Sequence, residues 1–215
     1  MPTNFSTRNF HDICDKLGSI DPDLAVILAS YGYPPLWSRP NNFETLVHFI
    51  LEQQVSLASA LSALQKLKQH VADFTPENII AMTDLEMRAC YCSRQKQVYI
   101  KNVASAIISG GLDLATFDAM EDEDIRLQLT KLKGVGNWTA DVYLMFVLQR
   151  ADIFPSGDLA AVNALKSLKL LPADADRNMI LAISGRWKPY RTIATMMLWH
   201  LYLSKSAKAT RLPGT

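Results

Sequence analysis

Apolar residues recur at helical spacing along most of the chain, and polar residues mark where each helix has to start. Phe10, Ile13, Cys14 and Leu17 share one face of a first helix. Asp21 followed by Pro22 reads as an N-cap with proline at the first helical position, where its missing N–H is no loss; that helix is predicted to reach Tyr31–Gly32. The run Tyr33-Pro34-Pro35-Leu36-Trp37-Ser38-Arg39-Pro40 cannot continue it and reads as a crossing between lobes. Asn42 caps a helix whose Phe43, Leu46, Val47, Ile50 and Leu51 make an apolar stripe. After a break at Gln53-Gln54-Val55-Ser56 another helix runs to about His70. Thr75-Pro76 starts a short helix, and the capping box Thr83-Asp84-Leu85-Glu86 starts the next. A longer helix carries Val98, Val103 and Ile107 and stops at Gly110-Gly111. Further helices are predicted over Glu121 to Lys131, Asn137 to Gln149, Leu159 to Leu170, Asp174 to Ser184 and Pro189 to Leu203, with a frayed tail from Ser204. No run alternates as a strand would, so the pattern predicts an all-α fold.

Between two of these helices lies Leu132-Lys133-Gly134-Val135-Gly136-Asn137-Trp138-Thr139-Ala140, a tight Gly-x-Gly turn. Such a turn aims the unpaired amides of the following helix outward, and with the helix dipole these form an anion site. The turn therefore reads as a phosphate grip, and a β-branched residue at Gly136 is expected to strain it. Beyond Phe154-Pro155-Ser156-Gly157 comes a lone carboxylate, Asp158. It can cap the next helix, and it can also stand against a cationic sugar-like transition state; one dipole serves both roles.

Composition narrows the picture. Apolar residues make up 49% and charged ones 20%, ordinary for a soluble globular protein. No apolar run nears a membrane span of ~20 residues. The start, MPTNFSTRNFHDI, lacks the order of a secretory signal. Cys14, Cys90 and Cys92 are too few for a disulfide frame or a four-cysteine cluster, which points to a reducing intracellular setting. The net charge of +1 is neutral on nucleic-acid binding, because backbone amides carry no formal charge. His11, His48, His70 and His200 have no metal-ligand spacing.

Taken together, the Gly-x-Gly turn, Asp158 at its distance, and Arg186-Trp187-Lys188-Pro189-Tyr190-Arg191 resemble the 3-methyladenine DNA glycosylase II family of the helix-hairpin-helix superfamily. Ile50-Leu51-Glu52-Gln53-Gln54-Val55-Ser56 and Ser93-Arg94-Gln95-Lys96 add to the likeness, which covers about Tyr31 to Tyr202. The resemblance implies two helical lobes with a cleft, 33–150 holding the hairpin and 1–32 with 151–215 carrying Asp158, which faces the hairpin at the junction. It also implies a monofunctional glycosylase that flips alkylated purines out of double-stranded DNA and leaves an abasic site in base excision repair. Asp158 is then the catalytic group, and Trp199, Arg191, Trp138 and Val142 lie at the substrate. DNA contacts come from Gln54, Gly134, Val135, Gly136, Asn137 and Thr139. Trp138 stands where lyase-competent relatives carry a Schiff-base lysine, and Val142 where the family often has a pocket tyrosine, with Tyr143 beside it. Carbonyls of Leu132 and Val135 are candidates for a monovalent cation; no cofactor is required and no iron–sulfur loop is present.

The plainer readings stand beside these. Trp199 can be a core residue of an apolar helix, Gln54 a polar residue on a solvated turn, and Arg191 a solvated helix start. Trp37, Trp138 and Trp187 read as packing residues. The expected partner is alkylated duplex DNA and the expected state a monomer, in the cytoplasm or nucleoid of a prokaryote or the nucleus of a eukaryote. Two alternatives remain open: a glycosylase for another lesion such as uracil or a mismatched base, and a non-catalytic protein that uses the hairpin only to bind DNA.

Overall fold

The computed structural model describes residues 4–211, with side-chain surroundings as far as Lys205. The described residues form helices throughout; the only extended pairing among them is a single antiparallel bridge between Asn4 and Arg150. In chain order the helices are α1 (Phe10–Ile20), α2 (Pro22–Tyr31), α3 (Phe43–Glu52), α4 (Leu57–His70), α5 (Pro76–Ala81), α6 (Asp84–Ala89) and α7 (Arg94–Ile108). A 3-10 turn (Leu114–Ala119) follows, then α8 (Asp122–Thr130), α9 (Asn137–Phe146), α10 (Leu159–Leu168), α11 (Arg177–Gly185) and α12 (Arg191–Arg211).

Local chemistry accounts for the starts. Asp21, Asn42, Ser56, Thr75, Ser93, Asp158 and Asp176 each accept a backbone N–H from the first turn of their helix, and Thr83 with Glu86 closes a full capping box. The ends at Tyr31 and His70 fall where expected, and others depart. Helix α9 stops at Phe146 rather than Gln149, because Gln149 turns left-handed (φ 50°) and Arg150 N–H reaches back to the Leu144 carbonyl at 3.0 Å. Helix α10 stops at Leu168 with Leu170 left-handed (φ 52°), closed by Leu171 N–H on Lys166 O at 2.9 Å, a Schellman-type end without its usual glycine. The 3-10 turn was not expected, and α12 continues past Ser204 to Arg211 instead of fraying; 212–215 lie outside the described residues.

The chain divides into two units, Met1–Ser38 with Leu144–Thr215, and Arg39–Tyr143. The divisions thus fall six or seven residues inside the expected 33 and 150, the second of them within α9. In the first unit α12 packs on α1, α2 and α10, around a core that includes Phe10, Leu17, Leu24, Leu165, Ile193 and Met197. A polar network runs through this core. Asp21 accepts hydrogen bonds from Lys169 Nζ (2.6 Å) and from the Nε1–H of fully buried Trp187 (2.7 Å). Burial by itself would raise the Asp21 carboxyl, but these two donors outweigh it and hold it below the usual carboxylate range. In the second unit α7 packs against α3, α5 and α6, and α3 against α4. All three cysteines are free and buried, and burial pushes the Cys14 and Cys92 thiols up to about 12, out of reach of thiolate chemistry at neutral pH.

Candidate active site and nucleic-acid interface

Asp158 is held from both directions along the backbone. Its N–H donates to Pro155 O (2.8 Å), and its carbonyl accepts Val162 N–H (2.9 Å) as α10 begins. Its side chain caps the helix, with Oδ1 accepting Ala161 N–H at 2.7 Å. The same oxygen accepts the indole Nε1–H of Trp199 at 3.0 Å, from α12. So the capping role is real, and it coexists with a second contact that a cap does not need. The carboxylate is half-buried, where charge-assisted bonds are stronger than in open water.

Trp199 is itself half-buried, and its ring is framed by two others. Phe146 lies tilted against it at 5.4 Å, and Trp37 stands edge-on at 6.3 Å and 81°. Trp37, read from the sequence as packing, therefore belongs to the aromatic surroundings of Asp158. No local pattern shows this, since its proline-rich stretch has no helical or strand periodicity to assign it a face. Trp187 packs as expected. Arg191 forks onto Asp152 instead of Asp158, with Nε to Oδ1 at 2.7 Å, Nη2 to Oδ2 at 3.1 Å and Nη2 to the Asp152 carbonyl at 2.9 Å. It ties the start of α12 to the segment leading to Asp158.

The other expected residues belong to the second unit. In the hairpin between α8 and α9, Gly134 has φ 94° and Val135 N–H closes on Leu132 O at 3.0 Å. A Cβ at Gly134 would overlap the ring of Tyr99, whereas one at Gly136 would meet nothing within 4 Å. The expectation that Gly136 carries the strain is thus corrected: the turn needs glycine at 134, while Gly136 and Asn137 are exposed and open. The start of α9 leaves its first amides without carbonyls from its own helix, at the exposed end of the turn. Thr139 is 1% exposed, its hydroxyl accepting from Gln53 Nε2 at 3.1 Å, so its side chain serves the turn and not the surface. Val135 is buried and Trp138 half-buried.

Val142 is 1% exposed and Tyr143 fully buried, its hydroxyl donating to Asn41 and its ring edge-on to Phe117. Burial raises the Tyr143 phenol well above its ordinary range. The structure therefore places both inside their unit and neither on a surface. Gln54 is exposed at the tip of the loop between α3 and α4, in the left-handed region at φ 59°. A non-glycine residue costs roughly 1 kcal/mol or more there, and such strain tends to gather at functional sites. Tyr91 is left-handed too, but there the conformation ends α6, through Cys92 N–H on Met87 O at 3.1 Å.

The family model described as HhH-GPD superfamily base excision DNA repair protein matches residues 47–189. A putative DNA-3-methyladenine glycosylase of Bacillus subtilis is 28% identical over 82% of this chain and 64% of its own length, so the chain spans just under two thirds of that relative. DNA-3-methyladenine glycosylase 1 of Schizosaccharomyces pombe is 32% identical over 75% of each. Among solved structures, the S. pombe 3-methyladenine DNA glycosylase in complex with abasic DNA superposes with a TM-score of 0.81 at 28% identity, covering 94% of this chain and all of that one. A DNA-3-methyladenine glycosidase from Bacillus halodurans gives 0.77 at 28% identity, over 96% and 95%.

Proposed function

Because the chain belongs to the HhH-GPD superfamily of base excision DNA repair proteins, we propose that it hydrolyses the N-glycosidic bond of alkylated purines in duplex DNA and leaves an abasic site. The observation that carries this reading is Asp158, a half-buried carboxylate fixed by a helix amide and by the indole of Trp199. As the base departs, positive charge develops at the sugar. A fixed anion in a partly dry site stabilises that charge by several kcal/mol without having to reorganise. Purines alkylated at N3 or N7 already carry positive charge and leave readily, so little acid catalysis is needed. A desolvated cation over an indole face gains about 2 kcal/mol, which suits Trp199 with Phe146 and Trp37 around it.

The target base is out of reach inside a duplex and has to be extruded. Gln54, exposed and held in a left-handed conformation, fills the gap left behind. Amides at the start of α9 take a phosphate of the damaged strand. Trp138 offers no amine for a Schiff base, so the enzyme makes no strand break of its own. The reaction as proposed needs no cofactor. The Leu132 carbonyl keeps a second lone pair beyond its bond from Val135 N–H and, with the Val135 carbonyl, is available to a monovalent cation at the hairpin. The partner is duplex DNA, the working state a monomer, and the place wherever the cell keeps its DNA.

The deciding experiment is base release from a panel of defined duplexes containing 3-methyladenine, 7-methylguanine, uracil or a mismatch. Release of the two alkylpurines above the rest is expected. Release of uracil or a mismatched base instead would move the assignment to another lesion. Binding without any release would make the protein a non-catalytic DNA binder.

A further inference from the structure

Gln53 has a role that neither the sequence motif nor the proposed chemistry assigns. It ends α3 with an extended backbone (φ −62°, ψ 124°), immediately before left-handed Gln54. Its side chain turns away from Gln54 and back to the hairpin. There the Nε2 amide donates to the Gly134 carbonyl at 2.9 Å and to the Thr139 hydroxyl at 3.1 Å, spanning 81 and 86 residues of chain. One amide thus holds both the turn and the first turn of α9. A carbonyl and the next N–H share one rigid peptide plane, so fixing the Gly134 carbonyl fixes how that plane is turned. Tyr99 bears on the same glycine from α7.

We infer that Gln53 is a positioning residue that sets a constant distance between the hairpin's phosphate contact and the residue inserted into the duplex. The inference rests on the proposed reading of Gln54 and the hairpin. Two neighbouring residues then act as one device, Gln54 entering the stack and Gln53 holding the loop at the reach the gripped phosphate dictates. With the tie cut, the grip and Gln54 both survive, but insertion is no longer aligned with the held strand.

The test is a double-mutant cycle of Gln53→Leu and Gln54→Ala, which need no base release to be read. Affinity for a duplex with a tetrahydrofuran abasic analogue is measured against an undamaged duplex by fluorescence anisotropy. A 2-aminopurine opposite the analogue reports local unstacking. Each single variant is expected to lose about tenfold of the preference for the abasic duplex and most of the 2-aminopurine change, and Gln53→Leu to keep undamaged-duplex affinity within about twofold of wild type. The double variant should lose no more than the weaker single, because residues acting as a unit are not additive. Losses that multiply to about a hundredfold, or a Gln53→Leu protein that keeps the full preference, overturn the inference. Thr139→Val, which removes only the longer arm, supplies the measurement should Gln53→Leu melt early; it is expected to lose part of the preference, and full retention there counts against the tie. Glycosylase failure remains distinguishable: a chain that releases no alkylpurine yet shows the non-additive cycle loses the catalytic reading and keeps this one.

Discussion

Replacing Asp158 with Asn separates its two roles. The amide carbonyl occupies the place of Oδ1 and keeps both donors, Ala161 N–H at 2.7 Å and Trp199 Nε1–H at 3.0 Å. As an N-cap, Asn is about equal to Asp, so the loss is confined to the charge. Weakening two charge-assisted bonds to neutral ones and removing an anion from a helix start together cost about 1–2 kcal/mol of stability. For a chain of this length that lowers Tm by roughly 3–6 °C, and the protein stays folded at 25 °C. On the proposed reading the transition state loses more, because the charge it needs has gone. A loss of about 3 kcal/mol or more corresponds to at least a hundredfold in rate, at about 1.4 kcal/mol per tenfold. Binding to abasic duplex should change little, since the phosphate contact is proposed for the hairpin. The assay is single-turnover release of 3-methyladenine or 7-methylguanine from alkylated duplex, with circular dichroism as the folding control. A folded Asp158→Asn enzyme that releases base at near the wild-type rate would leave Asp158 a helix cap and remove it from the chemistry.

Three further outcomes are expected. Gly134→Ala should destabilise the protein by several kcal/mol, because its φ of 94° and the Tyr99 ring both oppose a side chain, while Gly136→Val should melt near wild type yet bind duplex more weakly; equal melting of the two variants contradicts the geometry of the turn. Asp21, held below its ordinary range, contributes stability that is present above the unfolded carboxylate value of about 4 and disappears as pH falls through the folded one; urea titrations should therefore find wild type and Asp21→Asn far apart at pH 7 and converging below about pH 4, and a gap independent of pH refutes the assignment. Borohydride should trap no protein–DNA adduct on alkylated or abasic duplex, and an adduct mapping to any lysine would overturn the monofunctional reading of Trp138.

What sequence alone could determine is what a few neighbouring residues decide. A cap and the amide it binds lie within three residues, so the starts of α2, α3, α6 and α10 were legible from Asp21, Asn42, Thr83 and Asp158. The Gly-x-Gly turn, the all-α pattern and the position of Asp158 were legible for the same reason. Helix ends were less so, because Gln149 and Leu170 take the left-handed role that a reader looks for in glycine. The site's internal order is long-range. Trp199 finds Asp158 across 41 residues and Gln53 finds Gly134 across 81. Arg191 finds Asp152 across 39, and Trp187 finds Asp21 across 166. None of these pairs has a spacing rule, since each exists only because packing brings two helices or loops together. Which glycine of the hairpin is indispensable was likewise settled by Tyr99, a residue from another helix whose ring leaves room at Gly134 for a hydrogen and nothing larger.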